Sequence, residues 1–483
     1  MMVHHDSSLT GVGLFAAVFA LLLLSGACSD EDDDRAVCTD STCLTETLAG
    51  ATPGTTIDLA AGTFEGSFVA PSGVTLIGAG PEATTIRASG DAAAVTVAAG
   101  PGTTTIANLA VEGAEDGGIR AVGDGSGGLV LTDVTVSAAG WVAVFVQKLA
   151  SFTAARVELS GNLTTDEFSG ISIRPDGEKW ALAGMVMHQI GEAELSEIDA
   201  TLFAMYGVVA EATPVTWTGG EIHDIVATGI YIGGPYEVSL NDLESHHIAA
   251  GATPYGYGIV ATNGVHLVTN GVNLHDNAIA GMVIDHSTGD HADADINSNG
   301  SRGLWIQFCG TEGAQETAVT VHGANTVLDN NKGVTFGAYQ SHGISLSDAT
   351  ISNTQTAPMV AADSEIGLVE VGDGINGINS NGLVFTDLNI ENSIRAGVLL
   401  DGSGLITLLA PGDPPVLDVT FTNVTVSGDA GERGFVVQNA TVESTPEVSA
   451  ALQAKDQVGT DLDIVKELTT DKVPDPQDIN SNG

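Results

Sequence analysis

The sequence predicts an all-β fold: a single solenoid of stacked, parallel-paired coils. Three observations predict it. First, a glycine followed by alternating apolar residues recurs along the chain. It appears as Gly170-Ile-Ser-Ile, Gly207-Val-Val, Gly229-Ile-Tyr-Ile, Gly258-Ile-Val, Gly281-Met-Val-Ile, Gly303-Leu-Trp-Ile, Gly333-Val-Thr-Phe, Gly397-Val-Leu-Leu and Gly434-Phe-Val-Val. The spacing from Gly258 to Gly281 is 23 residues, and from Gly281 to Gly303 it is 22. Second, each such strand is preceded by an apolar residue and two or three polar ones, as in Ile222-His-Asp-Ile, Leu243-Glu-Ser-His-His-Ile, Leu274-His-Asp-Asn and Ile296-Asn-Ser-Asn. Third, 61 glycines and only 5% aromatics suit many short strands with tight turns. A period near two dozen residues outranks any local helix assignment. One such unit cannot bury its apolar face alone, but a stack of them can.

The N-terminus comes first in the chain and reads as an export segment. Gly11 to Leu24 is an apolar run of signal-peptide length, too short to span a bilayer comfortably. Leu24-Ser25-Gly26-Ala27-Cys28 follows and resembles a bacterial lipobox. That resemblance implies cleavage after residue 27 and a lipid on Cys28. The first ten residues carry no Lys or Arg, and Ser25-x-Ala27 also satisfies ordinary signal peptidase, so simple secretion stays open. Residues 28–43 read as an acidic tether. Within them, Cys38 and Cys43 can close a small disulfide loop in an oxidising compartment. The expected location is outside the cytoplasm, at the bacterial outer membrane or cell surface if lipidated.

Residues 44–445 carry the coils. Leu44-Thr-Glu-Thr-Leu-Ala-Gly reads as a short helix capping the open end, which shields a strand edge. Longer spacings mark inserted loops at 160–200, 355–395 and 402–420. Residues 446–483 read as a C-terminal cap, with a short helix over 450–470, and a loose tail.

These repeats resemble the right-handed parallel β-helix proteins of the pectin-lyase-like class. The phrase "I-x-N/D-N … G-I-x-I" carries the resemblance. So do the opening coils, from Ala51-Thr-Pro-Gly-Thr-Thr-Ile-Asp-Leu through Val74-Thr-Leu-Ile-Gly-Ala-Gly to Ala83-Thr-Thr-Ile-Arg87. The resemblance implies a fold and leaves activity open, because this architecture hosts many functions.

Charge narrows the partners. There are 14 Lys plus Arg against 61 Asp plus Glu, a net of −47. Such a surface repels phosphate backbones and anionic membranes, so nucleic acid is excluded and any membrane contact is through the lipid anchor.

Candidate residues follow from the register. Leu274 is aligned with Ile222, Leu243 and Ile296, facing inward. His275 then matches His223, Glu244 and Asn297, and Asp276 matches Asp224, Ser245 and Ser298. A histidine–aspartate pair that recurs in register reads as a turn device. Asp285 faces outward at the end of its strand, with Gln307 as its neighbour. Enzymes of the resembling class place their sites on that outer column. Their lyases combine acidic Ca²⁺ ligands with a basic residue, and their hydrolases use paired carboxylates. Asp285, Arg302, Gln307 and Lys332 form the nearest match, with Arg302 and Lys332 expected to stack before the strand glycine. Tyr231 and Trp305 face outward on the same sheet and are candidates to stack on sugar rings. Asp295-Ile-Asn-Ser-Asn-Gly300 opens like a calcium loop. Asp290, Asp293, Asp295 and Asn297 are therefore the candidate Ca²⁺ ligands, although Ile306 stands where such a loop has its last carboxylate.

The leading functional reading is a cell-surface lipoprotein acting as a non-catalytic module that binds extracellular polysaccharide or serves as structure. It leans away from an enzyme because basic residues are few and no paired-Asp signature is present. The alternatives are a polysaccharide lyase or hydrolase, and a surface adhesin or spacer with no glycan ligand.

Overall fold

The computed structural model describes residues 35–138, 140–164, 180–251, 255–311, 317–360, 368–402, 416–428, 433–438, 440–442, 446–448 and 457–458. Residues 1–34, with Cys28 and the acidic run, lie outside them. Among the described residues no helix is long and apolar enough to cross a membrane.

Strands a coil apart pair in parallel, forming one sheet of 24 strands and another of 16. The architecture is a right-handed parallel β-helix, the hand expected for parallel crossovers. Among the described strands, Ala357–Val360 pairs antiparallel with Leu368–Val371. The helix Ser41–Gly50 caps the first coil with Leu44 and Leu48 buried, and Asp40 accepts a hydrogen bond from the Cys43 amide at 2.9 Å.

Both edges of the coil region differ from expectation. Arg35–Cys38 is already a strand, paired with Thr56–Leu59 and fastened by an ion pair from Arg35 to Asp58. Cys38 and Cys43 are joined as a disulfide with Cα atoms 5.4 Å apart. Residues 35–43 therefore belong to the coil body, not to a tether. At the other end, Glu447–Val448 pairs with Thr425–Val426, and Gln457–Val458 with Val436–Val437, so pairing runs past residue 445. The expected helix over 450–470 and the tail lie outside the described residues, apart from that strand Gln457–Val458. Ala183–His188, Ala193–Thr201 and Asn381–Glu391, expected within inserted loops, are regular strands.

Each full coil turns three corners, and each corner is a column of residues at positive φ. The first runs through Asn108, Asp133, Arg156, Glu197, Asp242, Asp293, Asp348, Asp387 and Asn423, all with φ between 51° and 54°. The second holds Asp224, His247, Asp276, Ser298, Asn330 and Asn353, and the third holds Gln189, Ala212, His286, Phe308, Gln340 and Asn379. Asp and Asn tolerate this conformation best, which explains their abundance at the turns. The corner amides are satisfied by the next coil: Asp276 N donates to Asn297 O at 3.3 Å and His286 N to Gln307 O at 3.1 Å.

Two polar ladders stack inside the apolar core. Asn277, Asn299 and Asn331 pass amide hydrogen bonds from coil to coil. Ser287, Cys309, Ser341 and Ser380 form the other. The Cys309 thiol fits that ladder by bonding Gln307 O, and burial pushes its pKa up to about 12, so it is an inert structural thiol.

Candidate functional site

The expected catalytic set is only partly assembled. Asp285 and Gln307 are register partners, and Gln307 Nε2 donates to Asp285 Oδ1 at 2.8 Å. Thr262 Oγ1 donates to the other carboxylate oxygen at 3.0 Å, with His286 Nδ1 3.1 Å from it. Trp305 Nε1 donates to Gln307 Oε1 at 2.9 Å, and the Arg302 guanidinium lies 4.4 Å from the Trp305 ring centroid. Arg302, Gln307 and Asp285 thus join one buried network through Trp305. Lys332 stays apart and exposed. Arg302 pairs with Val334, not Lys332, because Thr335 takes the place in its coil that Gly303 takes in the preceding one. The expected Arg302–Lys332 stack does not form. Further along, Arg433 occupies the Arg302 column, reached through Val334, Asp373 and Ala396.

Tyr231 and Trp305 point away from the coil interior, as expected, but neither is exposed. They are 2% and 0% accessible and belong to a second apolar cluster with Tyr206, Tyr257, Val260 and Val283. Their column reads Val209, Tyr231, Val260, Val283, Trp305. Strands that are apolar on both faces are buried on both faces.

The expected Ca²⁺ ligands do not converge. Asp293 is spent on the first corner, where it accepts from the Asn325 amide at 3.2 Å. Asp290 faces His322 Nε2 at 2.8 Å, and Asp295 accepts from Asn297 Nδ2 at 2.9 Å. The corner turns the chain between these residues, so their carboxylates leave on different walls.

A different cluster is assembled instead. The strands Glu221–His223, Glu244–His246 and Asn273–His275 pair in the register Glu221–Glu244–Asn273 and His223–His246–His275. The aligned residue in the inward column is Ser245, fully buried between Ile222 and Leu274, and not Leu243 as the sequence suggested. That shift of two residues places His246 between the other histidines. The rings stack, 5.3 Å from His223 to His246 and 4.7 Å from His246 to His275.

Carboxylates flank the stack on both sides. His246 Nε2 lies 2.6 Å from Glu221 Oε1, and His275 Nε2 lies 2.7 Å from Glu244 Oε1. On the corner side, His223 Nδ1 and His275 Nδ1 each lie 2.8 Å from the following aspartate, Asp224 and Asp276. Burial works against protonating His275, but its hydrogen bonds to Glu244 and Asp276 prevail and raise its pKa above the ordinary histidine value. Among the described residues, Glu244, His246 and His275 are the group of three such side chains whose ligand atoms lie within 4.8 Å of one another. Sequence reading missed His246 and Glu221. The signal was the doubled His246-His247, whose second member takes the corner and so fixes the first at the strand end.

No protein-family model and no curated protein matches the chain. Among solved structures it is similar to the A-module of the Azotobacter vinelandii mannuronan C-5 epimerase AlgE4, at 14% identity and TM-score 0.44, covering 86% of this chain and 96% of that one. It is similar also to tailspike protein 3 of bacteriophage CBA120, at 11% and 0.46, covering 85% and 60%. Pectate lyase Pel9A gives 12% and 0.39, covering 68% and 84%. No residue role follows from likenesses at this level.

Proposed function

We propose that the protein is an exported, non-catalytic module that binds extracellular polysaccharide along the outward face of its long sheet. One observation carries the reading: that face carries a column of mostly polar side chains, broken by Val268. Thr153, Glu194, Thr216, Ser239, Val268, Asp290, Thr320 and Ser345 follow one another in register. Hydroxyls and carboxylates at the strand spacing of roughly 4.8 Å offer a repeating hydrogen-bond array to a repeating polymer. An open cleft of about 370 Å³, lined by Thr135, Arg156, Glu158 and Asp199, lies round the first corner from that column. By contrast, Asp285 on the other sheet is held inside a buried hydrogen-bond network. Net charge favours neutral polymers over acidic ones. In the same reading Cys28 anchors the protein at the cell surface.

Retention on immobilised neutral and acidic polysaccharides tests this, run beside an assay for unsaturated products and new reducing ends. Retention on neutral polymers without cleavage is expected. Thr320→Ala combined with Ser345→Ala should weaken retention several-fold. Cleavage of any polymer, or no retention by folded protein, would overturn the reading. Cys28→Ser should move the protein out of the membrane fraction; unchanged fractionation would remove the anchor.

A further inference from the structure

We propose that Glu244, His246 and His275 form a binding site for a borderline divalent transition cation, of which Zn²⁺ is the type. This goes beyond the glycan reading and does not depend on it.

The donor set fits that class of ion. Two imidazoles and a carboxylate are the ligands Zn²⁺ takes, whereas Ca²⁺ and Mg²⁺ require shells of oxygen. All three donors come from strand ends of two adjacent coils, so the backbone ladder fixes their spacing. Their ligand atoms already lie within 4.8 Å of one another. Bonds of roughly 2.0–2.1 Å to a tetrahedral ion bring two nitrogens to about 3.3 Å. The side chains are only half-buried on an open wall, so rotation about their χ angles closes that gap.

The surrounding groups are placed as an outer shell. Asp276 Oδ2 sits 2.8 Å from His275 Nδ1. With a proton held there, Nε2, 2.7 Å from Glu244 Oε1, becomes the coordinating nitrogen once an ion displaces the proton it shares with that carboxylate. The ion would take the place of that shared proton between nitrogen and carboxylate. Asn273 Nδ2 donates to Glu244 Oε1 at 3.1 Å and orients that carboxylate. Glu221 approaches His246 Nε2 from the coil on the other side and adds negative charge, with Asp224 and Asp276 close by. Three protein ligands on an exposed wall leave a coordination position for water or for a donor atom from outside.

The test is a titration of the metal-stripped full chain with Zn²⁺ against a chromophoric chelator. One Zn²⁺ per chain is expected to depend on these residues. His246→Asn and His275→Asn should each weaken it tenfold or more, with the circular dichroism unchanged. Asparagine is the conservative replacement because Asn297 already holds this column in the next coil. Glu244→Gln, which keeps the side-chain shape, should weaken it as well. His322→Asn, in a separate histidine–aspartate pair, should leave it unchanged. Millimolar Ca²⁺ should not displace the ion. No Zn²⁺ binding by folded wild-type chain, equal affinity in the His246 and His275 variants, or displacement by Ca²⁺ would each overturn the proposal.

Discussion

His246 and His275 lie with ring centroids 4.7 Å apart and planes 4° from parallel. That separation is the distance between neighbouring strands in a sheet. The imidazoles therefore inherit their stack from the backbone ladder, and whatever fixes the ladder's register also fixes the cluster.

Ser245 is one such determinant. It occupies the inward position between Ile222 and Leu274, and its hydroxyl donates to Gly258 O at 3.2 Å. Space there is short, since a Cβ on Gly229 would come within 2.5 Å of the Ser245 oxygen. Ser245→Leu should overpack the coil and cost about 1–3 kcal/mol. Urea unfolding measures it, and an unchanged midpoint would show the coil has room.

Asn299 stands in the middle of the interior ladder. It accepts from the Asn277 amide and side chain at 3.1 and 3.0 Å, and donates to Leu274 O and Asn331 Oδ1. Asn299→Ala strands partners on both neighbouring coils and should cost roughly 2–4 kcal/mol. Asn297→Ala, two residues away on the outer wall, should cost under about 1 kcal/mol. Equal losses in melting temperature would argue against the ladder as a stabilising device.

His291 gives a pH dependence with a definite sign. It points inward between Thr269 and Val321, and Nδ1 lies 3.0 Å from Thr269 Oγ1. Burial lowers its pKa from 6.5 to about 4. Protons then favour the unfolded chain, so its contribution is intact above pH 6.5 and is lost as pH falls toward 4. The loss amounts to roughly 3 kcal/mol in all. His291→Val, matching Val321, should flatten that part of the stability–pH curve. A variant with the wild-type slope between pH 7 and 5 would exclude His291 as the source.

Gly337 faces Trp305 across one strand step. A Cβ at Gly337 would sit 2.1 Å from the indole ring, so Gly337→Ala must displace it. The move would break the indole's bond to Gln307 and loosen the hold on Asp285. A shift in tryptophan emission with a stability loss of about 1–3 kcal/mol is expected; unchanged emission would mean the backbone yields instead.

The coils were legible because periodicity survives in the sequence: the strands from Gly229, Gly258, Gly281 and Gly303 appear where their glycines stand. The outward direction of Tyr231 and Trp305 was also read correctly. What failed was phase, wherever two buried residues two positions apart competed for one inward place. Leu243 and Ser245 are both buried, and hydrophobicity alone chooses Leu243. The same ambiguity set Gly333 in place of Thr335 and falsely stacked Lys332 on Arg302. Burial of Tyr231 and Trp305 was written in the apolar character of their own column. The histidine cluster was hidden because its register depends on which residue takes the left-handed corner, and His247 is an unusual choice there.

The three positive-φ corners also make a whole coil the unit that can be removed without disturbing its neighbours. Removing one residue from within a strand would turn its later side chains to the opposite face of their column. Removing Gly258 to Ala280 as a block would join Tyr257 to Gly281, and all three corners would stay in phase. Genes for such a chain can therefore lengthen or shorten by whole coils while keeping the core intact. A cluster shared by adjacent coils, such as the one at His246 and His275, would be gained or lost in a single event of that kind.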